Sequence, residues 1–259
     1  MITSFSDVFA ELKEKGVCKT MVAAWAVDEH TIEAASQAVD LGFVKAVLVG
    51  DAALINEVCV KRGIDAAKFT IVDNPDELKA VAQAVQMVHD GEGDVLMKGL
   101  CSTDKFLRAI LNKETGLLPP KGLLSHVGVI DSPNYHKLIF LTDMAVVPLP
   151  DLRQKMKLTN YIVKVAKSFG IRGCIADGPL ALDVAIDNES VEIKKLVSPV
   201  AGDADCLVFP NIESANVFWK TNSKLSTGVR QAGMLVGTTA PCILASRADS
   251  VDTKLNSIA

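Results

Sequence analysis

Residues Thr20–Val49 read TMVAAWAVDEHTIEAASQAVDLGFVKAVLV, and this stretch decides the fold. An apolar run of strand length, Thr20–Val27, gives way to a helical pattern near His30–Leu41. A second short apolar run, Ala46–Val49, follows at once. The same alternation continues outward through a helix near Ala52–Gly63, a strand at Thr70–Val72 and a helix near Pro75–Asp90. Strands joined by helices predict crossover units, hence a parallel sheet and an α/β fold.

Farther along, Asp94–Met97 supplies another buried strand, and Ser102-Thr103-Asp104 is a cap for a helix running to about Leu111. The Gly/Pro-rich passage Gly116–Gly122 then breaks the pattern. Beyond it, Leu124–Ile130 and Lys137–Leu141 flank a turn at Asp131–Asn134, a spacing that predicts antiparallel strands and the start of a second lobe. That lobe is expected to hold a helix near Asp151–Phe169, a strand at Gly173–Ala176, a helix near Ser190–Lys195 and a strand at Cys206–Phe209. The chain then returns to the first lobe through Gly228–Gly237 and a final strand at Pro241–Ala245. The boundaries read as 1–124 plus 227–259 for a discontinuous first α/β lobe and 125–226 for the second. One junction is too short. A helix ending at Phe169-Gly170 meets a buried strand almost immediately, which suggests that residues are absent between Gly170 and Ile171.

At 259 residues the chain can build one large or two modest domains. It is 49% hydrophobic with only 5% aromatic residues, a composition typical of buried parallel strands. A net charge of −4 with scattered lysines leaves no electrostatic footprint for nucleic acid. Six dispersed cysteines, without a CxxC pair or a histidine at ligand spacing, read as free thiols of a reducing compartment and give no metal site. No basic-then-apolar leader and no long apolar span occurs, so a cytoplasmic protein without membrane contact is expected.

Four segments carry chemistry. Asp94–Gly99 followed by Ser102 and Thr103 ends a strand in a lysine, a glycine and two hydroxyls ahead of a helix, which suits close backbone approach to phosphate and equally an ordinary capped turn. Asp177–Asp183 places two acids around a Gly-Pro turn. Ser198–Asp205 puts small residues before a strand. Last, Pro241–Ala245 opens into Ser246-Arg-Ala-Asp-Ser-Val-Asp-Thr-Lys254, where a hydroxyl, a guanidinium and two carboxylates crowd a helix start. This is either an oxyanion or phosphate site or a Ser/Asp-capped helix with a solvated first turn.

Taken together, Leu96-Met-Lys-Gly99, Phe140-Leu-Thr-Asp143, Ala176-Asp-Gly-Pro-Leu-Ala-Leu-Asp183, Ser198-Pro-Val-Ala-Gly202, Phe209-Pro-Asn211 and Ser246-Arg-Ala-Asp-Ser250 closely resemble the phosphate acetyl/butyryltransferase family, and most nearly its butyryl branch. The resemblance implies two α/β lobes of the isocitrate/isopropylmalate dehydrogenase-like kind with a cleft between them, and a homodimer or higher homo-oligomer. It implies reversible transfer of a short-chain acyl group, butyryl by the branch, between coenzyme A and inorganic phosphate. The partners would be acyl-CoA, phosphate and acyl phosphate, with no metal or redox cofactor.

By that resemblance Arg247 would grip phosphate and Ser246 would donate to the oxyanion of the tetrahedral intermediate. The acid that the acetyl branch places after its Ser-Arg pair aligns with Thr253, so Asp249 or Asp252 would take the proton, with Asp249 slightly favoured. Lys98, Gly99, Ser102, Thr103, Ser125 and Asp143 are the substrate-side candidates. A nucleophilic role for Cys101 lacks an adjacent histidine. Three other readings stay open: the same chemistry on acetyl-CoA, a coenzyme A or phosphate binder without catalysis, and a two-lobed dehydrogenase, for which neither a carboxylate cluster nor a Gly-x-Gly-x-x-Gly is present.

Overall fold

The computed structural model describes residues 2–259. In chain order its elements are α1 (Phe5–Lys15), β1 (Lys19–Ala24), α2 (Glu29–Asp40), β2 (Val44–Gly50), α3 (Ala52–Arg62), β3 (Phe69–Asp73), α4 (Glu77–His89), β4 (Val95–Lys98), α5 (Thr103–Ile110), β5 (Ser125–Asp131), β6 (Ile139–Thr142), α6 (Leu152–Ser168), α7 (Leu182–Ile186), α8 (Asn188–Lys194), β7 (Cys206–Val208), α9 (Ile212–Leu225), β8 (Arg230–Val236), β9 (Cys242–Ile243) and α10 (Val251–Ile258). The chain forms two compact units. The first comprises Phe5–His126 and Arg230–Ala259; the second is Val127–Val229, joined by residues 2–4, where the Ile2 amide donates to the Phe169 carbonyl.

In the first unit the strand order is β3-β2-β1-β4-β9-β8. Neighbours are parallel from β3 to β9, as the alternating sequence pattern predicts, and β8 is antiparallel to β9. Met21–Ala24 of β1 are fully buried, because a central parallel strand is covered on both faces. Met21, Ala23, Leu48, Met97 and Ile243 pack with Ile32, Ala35 and Ala38 of α2 in the main core of this unit. Helix starts follow from short polar caps: Asp28, Asp51, Asp76, Ser102 and Ser250 each accept a backbone N–H from the first turn that follows.

In the second unit β5 pairs antiparallel with β6 and β6 pairs parallel with β7. Asp151 and Gln154 close a reciprocal capping box at the start of α6. Trp219 of α9 lies on β5 where Gly128 leaves room; a Cβ there would sit 2.6 Å from the Trp219 ring and 2.3 Å from Met144. Leu141, Leu207, Met144 and Trp219 belong to the core on this side.

The strand expected at Gly173–Ala176 is absent. Residues 172–179 form an exposed coil, with Ile175 63% exposed. An apolar run this short becomes a strand only where a neighbour offers its backbone groups, and β7 pairs with β6 alone. Ahead of β1, α1 is a helix that the sequence expectations do not include, although Phe5, Val8, Phe9 and Leu12 mark one helical face.

Candidate active site

Because β1, β4 and β9 are parallel, the segments that follow them leave from one edge of the first unit's sheet. From β1 the chain turns through α2 toward β2, whereas β4 and β9 lie on the other side of β1. The edge between β1 and β4 is therefore a topological switch point, where open α/β sheets bind ligands outside the carboxyl ends of their strands. Ala24 pairs with Lys98, and Met97 with Ile243.

Gly99 makes the approach of these turns possible. Its N–H donates to Ala24 O at 2.9 Å and the Leu100 N–H to Trp25 O at 2.9 Å. A Cβ at Gly99 would lie 2.4 Å from Trp25 O and 2.7 Å from Ala24 O, both backbone atoms that cannot move aside. Ser102 then caps α5, accepting the Lys105 N–H at 3.3 Å, with Thr103 exposed as the first helical residue. Trp25 itself has φ 54°, left-handed backbone that is unusual for a residue with a bulky side chain.

Beneath this edge lie two lysines. Lys98 is 1% exposed and Lys254 is fully buried. Lys98 Nζ reaches its neighbour's carbonyl, Gly99 O, at 3.3 Å, and Lys254 Nζ reaches Ser246 O at 3.4 Å. Among the described residues neither forms an ion pair. Burial lowers the pKa of both ammonium groups; Lys254 and Arg247 lower that of Lys98 further, while Asp28 acts in the opposite sense on both. Asp28 caps α2 through Oδ1, which accepts the Thr31 N–H at 3.0 Å, and its buried Oδ2 has no hydrogen-bond partner.

The turn over these lysines is closed on itself. The Ser246 N–H donates to Asp249 Oδ2 at 2.7 Å and the Asp249 N–H to Ser246 O at 3.1 Å. Ser250 accepts the Thr253 N–H at 3.2 Å and starts α10. The capped-helix reading of this stretch therefore holds, and two buried lysines lie close to the turn. Arg247 is exposed yet electrostatically coupled to Lys98, and Asp252 is exposed on the first turn of α10.

Of the residues singled out in the sequence, Lys98, Gly99, Ser102 and Thr103 sit on one turn, and Ser246, Arg247 and Asp249 on another that meets it through Lys254 and Lys98. Ser125 is buried at the start of β5. Asp143 belongs to the second unit, where Oδ1 accepts the Ala145 and Val146 N–H groups at 2.8 and 2.7 Å and shapes a buried turn. Also in that unit, Ser198 donates to Asp177 Oδ2 at 2.7 Å, holding Asp177 below its ordinary pKa and linking two of the quoted motifs. Trp25, Asp28 and Lys254 are the site residues that sequence reasoning gave no role; a lysine on the apolar side of a terminal helix was the available signal for the last. Cys101 is buried and its thiol is pushed up to about 11, which removes the thiolate a nucleophile needs. No cluster of three or more His, Cys, Asp or Glu that could hold a metal occurs among the described residues.

A family model described as phosphate acetyl/butaryl transferase matches residues 76–176 and 172–259. A phosphate butyryltransferase of Clostridium acetobutylicum is 39% identical over 295 residues, covering 100% of this chain and 97% of its own. A phosphate acetyltransferase of Rhizobium meliloti is 32% identical, covering 92% of this chain and 86% of its own. Among solved structures, a branched-chain phosphotransacylase from Enterococcus faecalis V583 superposes with a TM-score of 0.79 at 24% identity, covering 92% of this chain and 96% of that one. The first alignment runs longer than the 259 residues of this chain, so that relative carries positions without a counterpart here; the two family matches overlap at 172–176.

Proposed function

The chain belongs to the phosphate acetyl/butaryl transferase family, and we propose that it transfers a short-chain acyl group, butyryl foremost, reversibly between coenzyme A and inorganic phosphate. The observation that carries this reading is the pair of buried lysines that form no ion pair among the described residues, set with Arg247 at the switch point of the sheet. Cations so placed favour a small polyanion, and a phosphate oxygen is the nucleophile the reaction needs.

In this mechanism Arg247 holds the phosphate in a fork of N–H donors. A phosphate oxygen attacks the thioester carbonyl, and the oxyanion that develops is stabilised by the Ser246 hydroxyl. The C–S bond then breaks, and the thiolate leaves and takes up a proton. Lys98, Gly99, Ser102 and Thr103 line the phosphate side. One Asp249 oxygen is engaged by the Ser246 amide, so Asp249 anchors the turn and Asp252 is the carboxylate open for proton transfer. Acyl transfer moves no net electrons, and this reading assigns no metal or redox cofactor.

The finer architecture that accompanies it is two lobes of the isocitrate/isopropylmalate dehydrogenase kind, 1–124 with 227–259 and 125–226, in a cytoplasmic homodimer or higher homo-oligomer. No helix among the described residues is long and apolar enough to cross a membrane. One observation favours a second reading, binding without catalysis: Thr253, which aligns with the acid of the acetyl branch, carries a hydroxyl held at 3.1 Å by Ser250.

A thiol-release assay over acetyl-, propionyl-, butyryl- and longer acyl-CoA, with and without phosphate, tests the proposal. Phosphate-dependent release that is fastest with butyryl-CoA is expected. Each misplaced methylene changes discrimination by roughly 1–3 kcal/mol, so the profile should be graded rather than absolute. Coenzyme A binding with no release on any thioester would favour the second reading.

A further inference from the structure

Lys254 closes the Ser246–Lys254 segment but has no assigned step in the mechanism, and it is among the most buried side chains of the first unit. It projects from α10, which packs against α2 and β8, and its Nζ sits behind the Ser246 carbonyl at 3.4 Å. An ammonium is costly to bury unless it is paired and hydrogen-bonded. Here the pairing is incomplete. Lys98 and Lys254 together face one shared carboxylate, Asp28, whose Oδ2 is buried and unpartnered, with Asp249 acting on Lys254 from the turn. Arg247 adds a further cation to the same field. An excess of buried positive charge behind a turn is a standing attraction for an anion in front of it.

We propose that Lys254 is a positioning residue for the phosphate substrate: it holds the Ser246–Arg247 turn from behind through the Ser246 carbonyl and, with Lys98 and against Asp28, sets the positive field in which a phosphate dianion is received. This deepens the proposed acyl transfer and rests on it. Burial lowers the pKa of both lysines and Asp28 opposes that shift, as expected for a cluster whose charge is kept only by mutual balance. The field has a sign, and that separates it from a packing role.

The test is steady-state kinetics of Lys254→Met and Asp28→Asn at neutral pH, varying phosphate and acyl-CoA separately. Methionine keeps an unbranched side chain one atom shorter and removes the charge; asparagine keeps the cap on α2 and removes the opposing charge. Lys254→Met is expected to raise KM for phosphate about tenfold or more while KM for acyl-CoA moves less than about twofold, and Asp28→Asn to lower KM for phosphate. Loss of phosphate affinity in both variants, or equal shifts in both Michaelis constants of Lys254→Met, would overturn the proposal. If Lys254→Met does not fold, Lys254→Gln takes its place and the sign of the Asp28→Asn effect decides. Should the unmodified protein release no thiol at all, the acyl-transfer reading fails by itself. Calorimetric binding of inorganic phosphate to the same variants then decides the inference by the same opposite signs.

Discussion

Arg247 and its neighbours show how much one turn can carry. The guanidinium is exposed, so Arg247→Ala removes little packing and the melting temperature should stay within the small range of surface substitutions. Turnover should instead fall by on the order of 3–4 kcal/mol of transition-state stabilisation, the scale of losing one preorganised donor. Near-normal turnover in that variant would remove Arg247 from the phosphate site. Asp249→Asn and Asp252→Asn should separate: the first weakens the turn and lowers stability, whereas the second leaves stability intact and flattens the pH dependence of thiolysis. The hydroxyl, guanidinium and carboxylates of this turn were legible in the sequence because they are contiguous. Asp28 and Lys254 were not, since their meaning depends on β1, β4 and α10 converging from positions more than 200 residues apart.

Among the elements, those with a period and a cap were readable. Helix α2 begins one residue from where its pattern placed it because Asp28 accepts the Thr31 amide, and α5 begins at Thr103 because Ser102 caps it. The antiparallel pairing of β5 with β6 followed from the short turn between them. The segment Gly173–Ala176 failed for a physical reason: strand formation is decided by a partner, which a local apolar run does not encode. With Arg172 exposed in that coil, brief trypsin treatment of the native protein should cut first after Arg172. A first cut inside α2, α3 or α4 would show that this coil is protected after all.

For the molecule as a whole, the parallel order of the first unit was implicit in the alternation of strand and helix, but the switch point between β1 and β4 is a property of strand order, which no single window of sequence contains. The burial that builds this unit also fixes its response to base. The Cys101 and Cys242 thiols are pushed up to about 11 and about 12 by burial, from 9.0. Above about pH 9 the unfolded chain sheds these protons while the folded chain retains them, so their contribution to stability is intact below that pH and is lost as pH rises toward 11–12. Lys98 and Lys254 slope the other way, because their lowered pKa values make the folded chain release protons first. Denaturant melts at several pH values should therefore show a shallower alkaline loss in Cys242→Ala than in the unmodified protein. Identical slopes would mean that Cys242 does not titrate differently on unfolding.

The most direct measurement of the chemistry assigned to this site is phosphorus NMR of butyryl-CoA incubated with inorganic phosphate and the protein. A new acyl phosphate resonance should grow in step with free thiol and saturate with phosphate. Thiol released without any acyl phosphate, at a rate indifferent to phosphate, would mean that water and not phosphate is the nucleophile, and that the buried lysines serve some other anion.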